Sequence, residues 1–438
     1  MRDDRLHPPK GIHADQRRPG ERDRDRILYS PALRRLGGVS QVASAVEGHI
    51  YHNRLTHTYE VAQISLRLAQ HLKRQTSPEI LKQAGDLDPD VAEAAALAHD
   101  LGHPPFGHLA ELELRTLLKN HCNVDSFDGN AQSFRIVTKL EFRHDNCPGL
   151  NLTRATLAAI LKYPIRDLGD PGQNKWGAYT TETKDFDFAR ALLPAGDHER
   201  SIEAEIMDFS DDIAYSVHDV EDFYRARLIP MHSLILDGEE RSRLVEGIVK
   251  RFQTKSEKLP YSQSEIDETI QRVFAVASLG KPLTRPYSGS GDQRSALKAW
   301  TSLLIGRFLG TGITVKVPSK SSPRRVELNP ETTKEIFVLK QLNWYYVIET
   351  PSLLTQQIGQ RTIIRTVFNA FMETGRVGGY PLTFPEVFRS QLPARTDSEL
   401  ARIVADMISS MTEQQIIDMY DRITGHGMGS IVDVVLRG

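Results

Sequence analysis

Five residues in one short stretch carry most of the chemistry legible in this sequence. Ala96–Glu111 reads A-L-A-H-D-L-G-H-P-P-F-G-H-L-A-E and holds His99, Asp100, His103, His108 and Glu111. Histidine with aspartate suits borderline or hard divalent metals. Core packing gives no reason for three histidines around a double proline. The preceding run, Val91–Ala98, is rich in strong helix formers, so a helix is expected to deliver His99 and Asp100 near its C-terminal end. Such neighbours point about 100° apart. They can still grip one small ion lying between their directions. Gly102 and Pro104-Pro105 must end that helix, since proline lacks the amide donor and clashes with the preceding turn. Gly107 permits a further sharp bend. His108 and Glu111 are three apart and share a face if a new helix starts there.

Two other stretches supply partners. His49–His57 reads H-I-Y-H-N-R-L-T-H and leads into a segment with Val61, Ile64, Leu68 and Leu72 on one face. Arg54 and His57 lie at the start of that amphipathic helix. A lone histidine there is more often a cap or a core residue; the second histidine cluster at the next helix end makes His57 a ligand candidate. Ile202–Tyr224 is also helical, with Ile206, Phe209, Ile213 and Val217 on its buried face. Asp211, Tyr215, His218 and Asp222 form one stripe, with Asp219 beside it. Asp211 and Asp212 side by side are costly unless a cation or solvent is near. Gln41, within the helix-breaking Leu36–Val42 segment, is a candidate polar contact on a loop, though such a residue taken alone is more often just part of the loop. Arg361 and Arg365, at i and i+4, suit a phosphate clamp and equally an ordinary surface ion pair.

These side chains need helices to hold them, and the rest of the chain reads as mainly α. Residues 1–20 are polar and rich in Arg, Pro and Gly, which reads as a loosely ordered arm. Residues 21–230 form the core with the candidate site. Residues 231–438 form a mostly helical C-terminal region that is expected to complete the substrate pocket and supply oligomer contacts. One small β-hairpin is expected there, Gly312–Val317 against Arg325–Leu328. The Gly-, Pro- and Trp-containing loop Asp167–Lys184 could line a pocket or lie on the surface. Lys plus Arg is 55 against 57 for Asp plus Glu, so no global basic excess demands nucleic acid. Cys122 and Cys147 cannot build a disulfide framework, and a reducing, cytoplasmic setting is the default. No run of about eighteen apolar residues occurs, so no membrane span is expected.

With these motifs in view, the sequence resembles HD-domain proteins, and more narrowly the bacterial deoxyguanosine triphosphate triphosphohydrolases, which are also similar to the vertebrate SAM-and-HD-domain dNTPase. The matching segments are Asp23–Val42, His52–Val61, His99–Glu111 and Asp211–Asp222. The resemblance covers roughly the first half of the chain. It implies an HD-domain helical fold and metal ligands at His57, His99, Asp100 and Asp211. It implies a catalytic pair at His108 and Glu111, a phosphate contact at Arg54, and sugar contacts at Gln41, Val42, Tyr215 and Asp219. His103 is a further candidate. The metal would be Mn, Mg, Fe, Ni or Zn, and spacing does not choose among them. The implied reaction cleaves a dNTP at the α-phosphorus to a deoxynucleoside and tripolyphosphate. The same residues also suit another HD phosphohydrolase, acting on a nucleotide or a single-stranded nucleic acid end, or a nucleotide sensor without turnover. The resemblance further implies a homo-oligomer, often a hexamer, and allosteric binding of a dNTP or single-stranded DNA.

Overall fold

Sequence periodicity becomes packing around three helices. A computed structural model of the chain describes residues 1–7, 15–41, 52–122, 125–144, 147–167, 173–193, 199–278, 281–319, 321–348, 351–376, 384–389, 392 and 396–427. Among them are nineteen α-helices. Arg54–Gln75, Pro89–Ala98 and Ile202–Arg225 pack closely on one another. Each starts on a side-chain cap: Asn53 accepts from the Thr56 amide, Asp88 from Asp90 and Ser201 from Ala204. The middle helix buries Ala92, Ala94, Ala95, Ala96 and Ala98. Their small side chains let the backbones approach, and Ser65 Oγ donates to the Ala92 carbonyl at 3.1 Å across the gap. Val61, Leu68, Ile206 and Ile213 fill the seam. Truncating such a residue, Leu68→Ala for instance, costs about 2–5 kcal/mol.

Residues on both sides of position 230 share one apolar core. The larger apolar core runs on through Leu244, Trp300 and Phe308 to Val347. A second core gathers Ala110, Leu114 and Leu118 of the His108–Lys119 helix with Ile364, Phe368, Val404 and Ile408. The helix that begins at the candidate catalytic pair therefore packs with the C-terminal helices.

The expected hairpin is present: Ile313–Val315 pairs antiparallel with Val326–Leu328, in register Ile313 to Leu328. A second antiparallel pair, Phe142–His144 with Cys147–Pro148, is too short to leave an alternating pattern in the sequence. The described part of the expected N-terminal arm is strapped to the core. Arg2 donates to the Gly85 carbonyl at 2.7 Å and pairs with buried Glu203, while Arg5 pairs with buried Asp23 at 2.6 Å. The first helix already begins at Pro19. Cys122 and Cys147 are free thiols. Among the described residues no helix is long and apolar enough to cross a membrane.

Candidate metal and catalytic site

The His99 backbone ends the Pro89–Ala98 helix in αR geometry, and its side chain is fixed at once. Nδ1 donates to the Ala96 carbonyl at 2.6 Å. Since a carbonyl only accepts, the proton sits on Nδ1 and the Nε2 lone pair is left bare. That Nε2 is buried and has no hydrogen-bond partner among the described residues. It faces Asp211 Oδ1 at 3.7 Å, and His57 Nε2 approaches the same oxygen at 3.2 Å. The ligating atoms of His57, His99 and Asp211 all lie within 4.8 Å of one another. A buried acceptor with nothing to accept, beside a second imidazole and a carboxylate, is what a divalent ion would satisfy. Burial works against the Asp211 carboxylate, but Lys162 and a hydrogen bond from His57 hold its carboxyl well below the ordinary range. Its neighbour Asp212 turns away to Lys340. Asp100 sits at the cluster's edge. Its Oδ1 lies 3.4 Å from His99 Nε2 and 3.0 Å from His103 Nδ1, and its Oδ2 accepts from Arg54 at 2.7 Å.

The turn after His99 is built to be close-packed. The Ser133 hydroxyl bridges the Gly102 amide (2.8 Å) and the His99 carbonyl (3.0 Å). A Cβ on Gly102 would stand 2.2 Å from the Gly129 carbonyl. Half-buried Arg35 donates to the carbonyls of Leu101, His103 and Met411. Gly107 then caps the next helix at φ 58°, a bend that favours glycine, and a Cβ there would also crowd Arg54 Nη2 at 2.8 Å.

That bend delivers the second cluster. His108 Nδ1 donates to Glu111 Oε2 at 2.9 Å, and the His108 ring meets the His103 ring edge-on at 5.1 Å. His108 is 72% exposed and Glu111 almost fully buried. Burial alone would raise Glu111, but the His108 hydrogen bond and Lys175 hold it well below the usual carboxylate range. His103, His108 and Glu111 are also near enough to share an ion. However, Lys175 (2.8 Å) and Arg115 (3.2 Å) both sit on Glu111 Oε1, and their positive charge opposes one.

Both clusters open onto one cavity of about 510 Å³. Gln41, Arg54, His99, Asp100, His103, His108, Asp211 and Tyr215 line it, as do Lys162, Lys175 and Lys340. Its far wall carries Leu353, Gln356, Gln357 and Gln360 from the Pro351–Arg376 helix. Glu413, at the first turn of the Glu413–Thr424 helix, closes the rim by accepting from the Ser40 and Phe106 amides.

Not every expected contact lands on this wall. Val42 lies outside the described residues. Asp219 does not line the described cavity; it is buried beside Asp222, His52 and Glu60, and burial with Asp222 pushes its carboxyl well above the ordinary range. Arg361 and Arg365 do not line the described cavity. Arg365 donates to Glu113 at 2.8 Å, Arg361 is exposed, and the cavity takes glutamines from that helix instead. Sequence reasoning missed Lys162, Lys175, Lys340 and Glu413. Lys175 alone had a signal, its place in the loop flagged as a potential pocket wall. Lys162 sits between Asp208 and Asp211, 2.8 and 2.9 Å from their oxygens, a pairing that only the fold creates.

The chain is similar to known proteins over most of its length. Residues 54–216 match the HD domain and residues 326–422 the phosphohydrolase-associated domain. A deoxyguanosinetriphosphate triphosphohydrolase-like protein of Corynebacterium efficiens is 35% identical, over 92% of this chain and 90% of its own. One from Streptomyces coelicolor is 34% identical over 94% of each chain. One from a Shewanella species is 30% identical over 96% of this chain and 95% of its own.

Proposed function

The chain belongs to the deoxyguanosinetriphosphate triphosphohydrolase-like family of HD-domain phosphohydrolases, and from that premise we propose that it is a metal-dependent dNTP triphosphohydrolase cutting at the α-phosphorus. One observation carries the reading. An ion-ready cluster and a carboxylate-backed imidazole share one cavity with Arg54, Lys162, Lys175 and Lys340, and its volume of about 510 Å³ suits a nucleotide.

His57, His99 and Asp211 would hold the ion, with Asp100 Oδ1 beside them. Bound there, a divalent ion supplies Lewis-acid polarisation of a phosphate oxygen and of water. The chain's own residues do the rest. Arg54, pinned to Asp100, and the cavity lysines balance the triphosphate charge. Water attacks the α-phosphorus, giving up a proton to solvent, and the phosphorus–O5′ bond breaks. The departing O5′ takes the Nε2 proton of His108, whose Nδ1–H stays on Glu111. Solvent returns the proton. Tyr215 and Gln41 flank the sugar side, where a buried fit disfavours a 2′-hydroxyl. The glutamines of the far wall face the base.

The test is ion-exchange analysis of products from each dNTP and from GTP, with manganese or magnesium, beside an Asp211→Ala control. Tripolyphosphate and deoxynucleoside in equal amounts, absent in the control, are expected. Orthophosphate or pyrophosphate would move the activity to another HD phosphohydrolase. No product even from mixed dNTPs would favour a sensor.

A further inference from the structure

Behind the exposed His108, Glu111 and Lys175 belong to a set of four charged groups completed by Arg115 and Asp128, two residues that the proposed reaction does not use. Glu111 and Asp128 are two buried carboxylates. Lys175 Nζ lies 2.8 Å from Glu111 Oε1 and 3.9 Å from Asp128 Oδ2. Arg115 Nη2 lies 3.2 and 3.4 Å from the same two oxygens. Two carboxylates share two cations, and burial and the neighbouring Glu111 push the Asp128 carboxyl up, so Glu111 is the main anion of the set and offers His108 only part of its charge.

The set is braced from several elements. Asp128 Oδ1 caps the Gly129–Arg135 helix through the Asn130 amide at 2.8 Å. Arg115 Nε donates to the Phe127 carbonyl at 3.0 Å, and its guanidinium lies over the Trp176 ring. The Tyr179 hydroxyl donates to the Asp128 carbonyl at 3.1 Å. Lys175 differs from Arg115 in being about one-third exposed on the cavity wall. We propose that Lys175 and Asp128 are positioning residues with opposite effects, which through Glu111 set the pH at which His108 gains and loses its proton. This rests on the reading of His108 as the proton donor.

The physical reason is electrostatic. Glu111 favours the imidazolium of His108 in proportion to the negative charge it keeps. Lys175 removes part of that charge, while Asp128 holds part of Lys175 and Arg115 away from Glu111. Other charged groups near His108 are His103 at its ring edge and Arg54 behind Gly107; the same cavity is lined by Lys162 and Lys340 and by the carboxylates of Asp100, Asp211, Asp212 and Glu413. On the helices packed behind it, Arg365 is taken by Glu113, and Arg402 lies over the Tyr179 ring. None of these touches Glu111 Oε1 as Lys175 and Arg115 do.

The experiment is a proton NMR titration of full-length protein carrying ¹³Cε1-labelled histidine, with magnesium present and His108 assigned through His108→Gln. Lys175→Gln is expected to raise the His108 midpoint by about half to one pH unit, a charge lost several ångströms away in a partly aqueous setting. Asp128→Asn keeps the helix cap and is expected to lower it. Lys175→Arg restores the wild-type value. The high-pH limb of kcat should shift in the same directions. Midpoints that stay put in both variants overturn the proposal. So does Lys175→Gln raising KM with an unmoved pH profile, which would make Lys175 a phosphate contact alone. The titration needs no turnover, so a wild type that hydrolyses no dNTP would sink the proposed function while leaving these shifts to be read.

Discussion

His99 is committed by its own helix. Because Nδ1 is spent on the Ala96 carbonyl, only Nε2 can ligate, and it points at the oxygen that His57 also approaches. Loss of groups that merely orient a ligand costs about 10–100-fold in metal affinity, so His99→Ala should cost at least that. Calorimetric titration with manganese is the check, and an unchanged stoichiometry and affinity would remove His99 from the site. At this scale the sequence was informative wherever a side chain's role follows from its near neighbours. His99 with Asp100, and His108 with Glu111, declared themselves by spacing. Lys162 could not, because its meaning comes from Asp208 and Asp211, which lie far along the chain. The Arg361 and Arg365 pair shows the converse: correct helical spacing says which residues share a face, and not what that face meets.

Between elements, the start of the Arg54–Gln75 helix is clasped to the Ile202–Arg225 helix. Asp222 Oδ2 accepts from both the His52 amide and His52 Nδ1 at 2.7 Å. His52 Nε2 and His218 Nδ1 meet the two oxygens of Glu60 at 3.0 and 2.7 Å. Although burial works against both charges, the hydrogen bonds to Asp222 and Glu60 lift His52 to about 10, and those from His218 and His52 lower Glu60 to about 2. The raised histidine stabilises fully below its ordinary value of 6.5, and the effect fades as pH climbs through about 10. The lowered glutamate stabilises fully above its ordinary 4.5, and the effect fades as pH falls through about 2. Both are at full strength in the window from 4.5 to 6.5. His52→Asn should therefore cost about 2 kcal/mol in that window. Thermal unfolding at several pH values should find the deficit shrinking steadily towards pH 10; a deficit independent of pH would mean that packing, and not charge, holds the clasp. The long amphipathic helices were legible from their period alone. The short strands at Phe142–His144 and Cys147–Pro148, and the strapping of Arg2 and Arg5, were not, since both depend on remote partners.

In the whole molecule, the site lies where two apolar cores meet. The larger core presents His57, His99 and Asp211, and the helix of the smaller core presents His108 and Glu111. A buried ionic junction ties the two together. Arg135 pairs with Asp406 at 2.8 Å and Glu182 at 2.7 Å, and Gln132 donates to Asp406 at 2.9 Å. Leaving one member of such a junction unpaired costs about 3–5 kcal/mol, which keeps the two halves of the cavity in fixed relation. The mainly helical class and the hairpin could be read from the sequence. That the His108–Lys119 helix would join the C-terminal helices could not, because hydrophobic period reveals a buried face without naming its partner. In the proposed reaction this two-sided cavity directs water to the α-phosphorus, and hydrolysis of dGTP in ¹⁸O-labelled water, with mass spectrometry of both products, tests it most directly. One labelled oxygen in tripolyphosphate and none in deoxyguanosine is the expected result. Label in the nucleoside, or in orthophosphate or pyrophosphate in place of tripolyphosphate, would contradict it.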